Sequence, residues 1–265
     1  MDFMFVARKA ALAAGRLLKE NINRAHDISF KGDINLVTEM DLFSERTIVE
    51  TIRVSYPDHN IMAEEETNIR KNSGFTWIID PLDGTTNYAH GYPCFCVSIA
   101  LTQEHEIVLG VVFDPMRDEF FSAQQGQGAY VNEKIIRVSN VNQLSQSLLS
   151  TGFPYDRKVS KKNNMVYFHD LLMASQEVRR DGAAALDLCS VACGRFDGFW
   201  ELKLKPWDMA AGSLIVLEAG GMLSNLKGSK FSIHTDDEIL ASNGKIHQQM
   251  IEVIHQAGQG LSSEM

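Results

Sequence analysis

Asp80 and Asp83 stand three residues apart in "DPLDGTTNYAHG", residues 80–91, directly after the apolar run "FTWII". A carboxylate at the end of a buried strand is costly without a partner, and two of them repel each other. Two chemistries fit. Either the pair caps a turn by bonding its own backbone, or it holds something positive. Oxygen donors are what a hard divalent cation takes. The N–H groups and hydroxyls that Gly84, Thr85 and Thr86 would offer suit a phosphate held beside such an ion. Pro81 removes a ladder donor, so "DPLDG" is expected to turn at once. That turn would bring Asp80 and Asp83 to one point and free the Leu82 carbonyl.

Three further acidic features accompany the pair. "AEEE" follows the strand-like "NIM" and offers Glu64 or Glu65, although a charge run is ordinarily a solvated face. "PWD" puts Pro206 at the first position of a helix and Asp208 in its first turn. The helix dipole alone stabilises a carboxylate there, by about 0.3–1 kcal/mol. Thr38 and Asp41 have the spacing of a capping box. Each feature is self-sufficient on its own. Together they place acidic groups at element ends, where sites are built.

The elements that must position these groups fall into two textures. A helix is expected over residues 3–24, then a loop-like "HDISFKGDINLV". A second helix opens at Thr38 and ends before Pro57, with Leu42, Ile48, Val49 and Ile52 near one face. "FTWII", "CFCVSIALT", "EIVLGVVFD", "DEFFSAQ" and "KIIRVS" read as strands of a largely antiparallel sheet. After about residue 146 strands alternate with helices. "LLSTG", "EVRRD", "FDGFWE" and "EILASN" are the strands, and "NMVYFHDLLMASQ", "AAALDLCSVACG" and "PWDMAAGSLIVLEAGG" the helices before a last one, which is an α/β pattern. The boundary near 140–147 contains no flexible linker. An α+β half over 1–145 and an α/β half over 146–265 are therefore expected to pack as one body.

Composition narrows the partners. The chain has 265 residues, 45% of them hydrophobic, and a formal net charge of -9. An acidic chain without a long Lys/Arg run is a poor ligand for nucleic-acid phosphates. No apolar stretch reaches the ~18 residues of a membrane span. The N-terminus reads as an amphipathic helix rather than a signal peptide, so no membrane association and a cytoplasmic location are expected. Cys94, Cys96, Cys189 and Cys193 lie in apolar runs without the spacing of a zinc knuckle, and buried free thiols are the expectation.

Two phosphatase designs place D-G-T after a strand. The haloacid dehalogenase design has its aspartates two apart, with the first as nucleophile, and Asp80 and Asp83 do not match it. "WIIDPLDGTTNY" instead resembles the first signature of the inositol monophosphatase family, and "KPWDMAAGSLIVLEAGG" its second. "NLVTEMD", "AEEE", "RRDGAAALDL" and "CGRFDGFWE" stand in the family's order, so the resemblance spans roughly residues 5–250. It implies a layered αβαβα sandwich of the sugar-phosphatase type, with a mostly antiparallel N-terminal sheet and a mixed C-terminal one. It also implies a lithium-sensitive phosphomonoesterase that uses two to three Mg2+ ions and is usually a homodimer. The substrate would be myo-inositol monophosphate or a related sugar phosphate, cleaved by metal-activated water.

Carried over by position, Glu64, Asp80 and the Leu82 carbonyl would hold one ion. Asp80, Asp83 and Asp208 would hold a second, and Glu64 would touch a third; Glu65 is the alternative to Glu64. Thr85 with Asp41 would orient the attacking water, with Glu64 also in the catalytic set. The N–H groups of Gly84 and Thr85 would bind phosphate. Asp83, Gly182, Ala183, Glu201 and Asp208 would line the alcohol pocket. The family often has a hydroxyl residue where this chain has Ala183. His59, His90, His105 and His169 fall outside the matched motifs. Two other readings stand beside this one. Fructose-1,6-bisphosphatase activity could recruit Arg179, Arg180, Lys203 and Lys205 for a second phosphate. A binding or regulatory protein could use the same fold.

Overall fold

The protein is described by a computed structural model covering residues 2–24, 28–30 and 36–263. Two helices open the chain, α1 (Phe3–Asn21) and α2 (Glu39–Ser55), with a small antiparallel pair between them, β1 (Ile28–Phe30) and β2 (Leu36–Thr38). The stretch expected to be loop-like thus carries strand pairing at its ends, and its middle lies outside the described residues. α1 begins because the Asp2 side chain accepts the Met4 N–H at 3.1 Å, and it stops three residues short of the expected end. α2 begins at the expected capping box. Asp41 Oδ2 accepts the Thr38 N–H at 2.8 Å, and Thr38 Oγ1 accepts the Met40 N–H at 3.2 Å.

The next segment builds an eight-stranded sheet from β3 (Asn60–Ala63), β4 (Asn68–Ile69), β5 (Phe75–Asp83), β6 (Cys96–Gln103), β7 (Glu106–Asp114), β8 (Glu119–Gln124), β9 (Ala129–Val131) and β10 (Lys134–Ile135), with helix α3 (Thr85–Ala89) following β5. The strand order is β10-β9-β8-β7-β6-β5-β3-β4, and every pair is antiparallel except β3 with β5. The chain then alternates: β11 (Leu148–Thr151), α4 (Met165–Ala174), β12 (Glu177–Arg179), α5 (Ala184–Ala192), β13 (Gly198–Leu202), α6 (Pro206–Glu218), β14 (Met222–Ser224), β15 (Glu238–Ser242) and α7 (His247–Ser263). These strands make a five-stranded mixed sheet, β12-β11-β13-β15-β14, in which β11 runs parallel to both neighbours.

Side-chain alternation sorts the layers. Trp77, Ile79, Val97, Ile99 and Val111 face α1 and α2. Their neighbours Ile78, Cys96, Ala100 and Val112 face the opposite way, onto α5 and α6, which also cover Phe199, Ile239 and Ala241 of the second sheet. Leu149, Trp200 and Leu240 turn outward to Leu171 of α4 and to Met250 and Ile254 of α7. The result is the expected αβαβα sandwich. The central helices can be buried on both sides because α5 and α6 are apolar nearly all round.

One local expectation is corrected. β5 does not end before Pro81. It continues to Asp83, and its register against β6 slips between Asp80 opposite Ser98 and Asp83 opposite Cys96. The slip is a bulge, and a proline is tolerated there because the extra residues need no ladder donor. Side chains satisfy the freed backbone. Ser44 Oγ donates to the Pro81 carbonyl at 2.6 Å, and the Leu82 N–H donates to Asp80 Oδ1 at 3.0 Å. The turn itself comes at Gly84, which has φ +95°. A β-carbon there would stand 2.9 Å from the Cys94 carbonyl, so both conformation and space call for glycine. "KIIRVS" contributes only Lys134–Ile135 to the sheet. The four cysteines are free thiols.

Candidate active site

The bulged end of β5, the end of β3, the end of β13 and the start of α6 open onto one cleft of about 410 Å3. Glu64, Asp80, Asp83 and Asp208 line it, together with Leu82, Gly84, Thr85 and Glu201. A larger cavity of about 640 Å3 lies elsewhere, lined by residues such as Lys162, Asp236 and His255. It brings together none of the groups the motifs single out, so chemistry rather than size locates the site.

Each carboxylate is aimed by backbone. Asp80 Oδ1 accepts the Leu82 N–H inside the bulge. Asp83 Oδ2 accepts the Ala185 N–H at 2.7 Å, at the start of α5, and lies 3.7 Å from the Cys96 thiol, which donates to it. Asp208 Oδ2 accepts the Lys205 N–H at 2.6 Å, closing the first turn of α6. Glu201 lies against Gly152, where a β-carbon would overlap its carboxylate; the glycine after β11 makes that room.

Glu64 follows β3, and its N–H bonds the Ile79 carbonyl at 3.1 Å. Of the two alternatives in the acidic run, Glu64 lines the cleft and Glu65 does not. The Glu65 backbone N–H donates to Glu45.

Burial dominates the electrostatics. It pushes Asp80 well above the usual carboxylate range, and the charges of Glu64, Asp83 and Asp208 push it further. Asp83 and Asp208 are each raised to about 7, chiefly by burial and partly offset by their backbone hydrogen bonds. Glu201 is raised to about 8 by burial and by the nearby charges of Asp208 and Asp83. Groups this costly to ionise call for positive charge. Among the described residues no three such side chains are drawn in tightly enough to form a ready-made ion cage.

Asp41 lies just beneath the cleft, 1% exposed. Its Oδ1 accepts the Thr85 hydroxyl at 2.9 Å and its Oδ2 the Thr38 hydroxyl at 2.7 Å. Burial raises its pKa against those hydrogen bonds. The Thr85 hydroxyl also lies 3.0 Å from the Leu82 carbonyl. Gly182 and Ala183 are not among the residues that line this cleft, and Ala183 is 1% exposed. The Asn87 side chain ties this segment to α3 by donating to the Asp181 carbonyl at 2.7 Å. The segment meets the site through the Ala185 N–H rather than through the Ala183 side chain.

Two positioning groups escaped the motif reading. Ser44 holds the bulge, and Glu45, 2% exposed, accepts the N–H groups of Glu65, Glu66 and Thr67 at 2.9, 3.1 and 2.8 Å. The signal for both was present. Asp41, Ser44 and Glu45 share the buried face of α2 with Ile48 and Ile52, and polar residues at core positions of an amphipathic helix need partners. Tyr155, Asp156 and Lys203 also line the cleft.

The model of the inositol monophosphatase family matches residues 2–259. The inositol-1-monophosphatase of Synechocystis sp. is 46% identical over 251 residues, covering 94% of this chain and 87% of that protein. A protein named Nus factor SuhB, from Pseudomonas aeruginosa, is 43% identical, with 94% of each chain covered. The structure of an inositol monophosphatase from Anabaena (Nostoc) sp. PCC 7120 superposes with a TM-score of 0.88 at 44% identity, over 96% of this chain and 95% of that one. The chain belongs to the inositol monophosphatase family and is a phosphatase.

Proposed function

We propose that this member of the inositol monophosphatase family hydrolyses myo-inositol monophosphate or a closely related sugar phosphate with the help of two or three Mg2+ ions. One observation carries the reading. Asp80, Asp83 and Asp208 are gathered with Glu64 in a single cleft, raised in pKa by burial, and among the described residues those three aspartates form no ion pair. The donor set is all oxygen, which fits hard divalent cations and excludes a thiolate or imidazole site. Glu64, Asp80 and the Leu82 carbonyl would hold one ion; Asp80, Asp83 and Asp208 a second; Glu64 also a third. Bound there, Mg2+ supplies the positive charge that a dianionic ester needs in a protein of net charge -9, and makes water acidic enough to react near neutral pH.

The chain's own groups do the rest. The Thr85 hydroxyl has one proton and two protein acceptors, Asp41 Oδ1 and the Leu82 carbonyl. Its oxygen therefore accepts rather than donates toward the cleft. A water bound to it is held with one proton toward Thr85 and a lone pair toward the phosphorus. Asp41, raised by burial, is the base behind that hydroxyl. The N–H groups of Gly84 and Thr85 hold the phosphate oxygens. Asp83, Asp208 and Glu201 face the leaving alcohol, where Glu201 offers oxygens to sugar hydroxyls. No side chain need be phosphorylated.

Release of phosphate from myo-inositol 1-phosphate, with and without Mg2+, tests the reading. Release that requires Mg2+ supports it, and equal or absent release in both conditions contradicts it. Two other readings have an observation each. Lys203 and Lys205 line the cleft and favour fructose-1,6-bisphosphatase or dual activity. The name of the Pseudomonas relative favours a regulatory role on the same fold. Lithium sensitivity, a homodimer and a cytoplasmic location complete the proposal. Among the described residues no helix is long and apolar enough to cross a membrane.

A further inference from the structure

Glu201 and Lys203 sit two residues apart at the end of β13, and both line the cleft, as does Asp156 from the segment between β11 and α4. Lys203 has its backbone in the left-handed region, φ +60°. A non-glycine residue is held there only where its surroundings over-determine it. Its ammonium is held on both sides: Nζ donates to Asp156 Oδ2 at 2.6 Å and to Ser160 Oγ at 2.7 Å. The Lys203 side chain is 26% exposed and that of Asp156 48%, so the pair forms part of the outer wall. The same segment is fastened further on, where Lys162 pairs with Glu238 at 2.8 Å and with Asp237 at 3.2 Å. Lys205 also lines the cleft; its charge offsets part of what raises Asp208, as that of Arg180 does for Glu201.

We infer that Asp156 is a specificity-determining residue: by neutralising Lys203 it makes the cleft select phosphate esters of uncharged polyols and reject substrates that carry a second phosphate. The inference rests on the phosphatase reading of the cleft. A second phosphate reaching this wall meets the Asp156 carboxylate, or must displace it from Lys203. Like charges placed together are how a site discriminates against a wrong partner. Asp156→Asn keeps the size of the side chain and a carbonyl acceptor for Lys203. It removes the negative charge and leaves the ammonium available.

The test compares kcat/KM for fructose 1,6-bisphosphate with that for myo-inositol 1-phosphate, in Mg2+, for wild type, Asp156→Asn and Asp156→Asn combined with Lys203→Met. Wild type should favour the monophosphate. Asp156→Asn should raise the bisphosphate-to-monophosphate ratio about tenfold. The gain should lie in KM, shrink with added salt, and vanish in the double variant. A merely structural role for Asp156 would change both substrates alike. An unchanged ratio in Asp156→Asn with both substrates still hydrolysed would overturn the inference alone, as would a wild type that prefers the bisphosphate. Absence of Mg2+-dependent release from either substrate by wild type would overturn the phosphatase reading, and this inference with it.

Discussion

Asp80 pays an electrostatic cost that its fold alone does not repay: it is 1% exposed and pushed upward by burial and by three neighbouring carboxylates. In Mg2+-free buffer, Asp80→Asn should therefore raise thermal stability by a few degrees, since a carboxyl that burial and its neighbours make costly to ionise is replaced by a neutral side chain. Mg2+ should stabilise wild type strongly and the variant little, as followed by thermal unfolding with and without the ion. The sign of the pH dependence follows from the same groups. Asp83 and Asp208 at about 7 and Glu201 at about 8 bind protons in the folded protein at pH values where the unfolded chain does not. Without Mg2+, wild-type stability should rise as pH falls from about 8 to 6, and saturating Mg2+ should flatten that slope. Glu45 makes a different prediction. Glu45→Gln leaves three N–H groups beside Glu64 sharing a weaker acceptor. The Mg2+ concentration for half-maximal thermal stabilisation should rise about tenfold, with kcat at saturating Mg2+ changed much less. Equal losses in both would mean that Glu45 does not act through the ion site.

At the scale of elements, the motif residues were legible because turn chemistry and charge betray themselves locally. The capping box at Thr38 and the first turn of α6 are read from a few letters each. Strand β7 occupies the expected Glu106–Asp114, since alternation against covered faces is a strong signal. The bulge in β5 was not legible: Pro81 argues for a break, and only the neighbouring β6 and the Ser44 hydroxyl from α2 show that the strand can continue. The burial of Ala183 was hidden for the same reason, because it depends on how α5 seats against the first sheet. The short strands β4 and β14 carry too few residues for a period to register. His247, 3% exposed, joins elements in a way that pH can probe. Its ring bonds Ser242 Oγ of β15 at 2.8 Å and Ser224 Oγ of β14 at 2.9 Å. Burial pushes its pKa down to about 4. Unfolding therefore takes up a proton between about pH 6.5 and 4, so the histidine withdraws stability as pH falls through that window, by about 3 kcal/mol in full. In saturating Mg2+, His247→Gln should lose less stability than wild type between pH 7 and pH 5 in denaturant titrations. Parallel losses would show that His247 is not the responsible group.

Over the whole molecule, the site exists only where the layers meet. Glu64, Asp80 and Asp83 come from the first sheet, Glu201 from the second, and Asp208 from the helix packed between them. The two halves were legible from texture, and the layer order from the resemblance that the paired signatures carry. Which acidic residue of "AEEE" lines the cleft was not, because it depends on how the segment after β3 is seated, and Glu45 on a different helix holds the N–H groups of that segment. The central claim is that these carboxylates are gathered to hold Mg2+ rather than to cap turns. Asn caps a turn as well as Asp does, so one substitution separates the two. Calorimetric titration of Mg2+ into wild type and Asp80→Asn is the direct measurement. The account predicts binding of at least two ions by wild type and loss of both in Asp80→Asn, because Asp80 is shared between them. Magnesium binding by Asp80→Asn with the stoichiometry and affinity of wild type would contradict it.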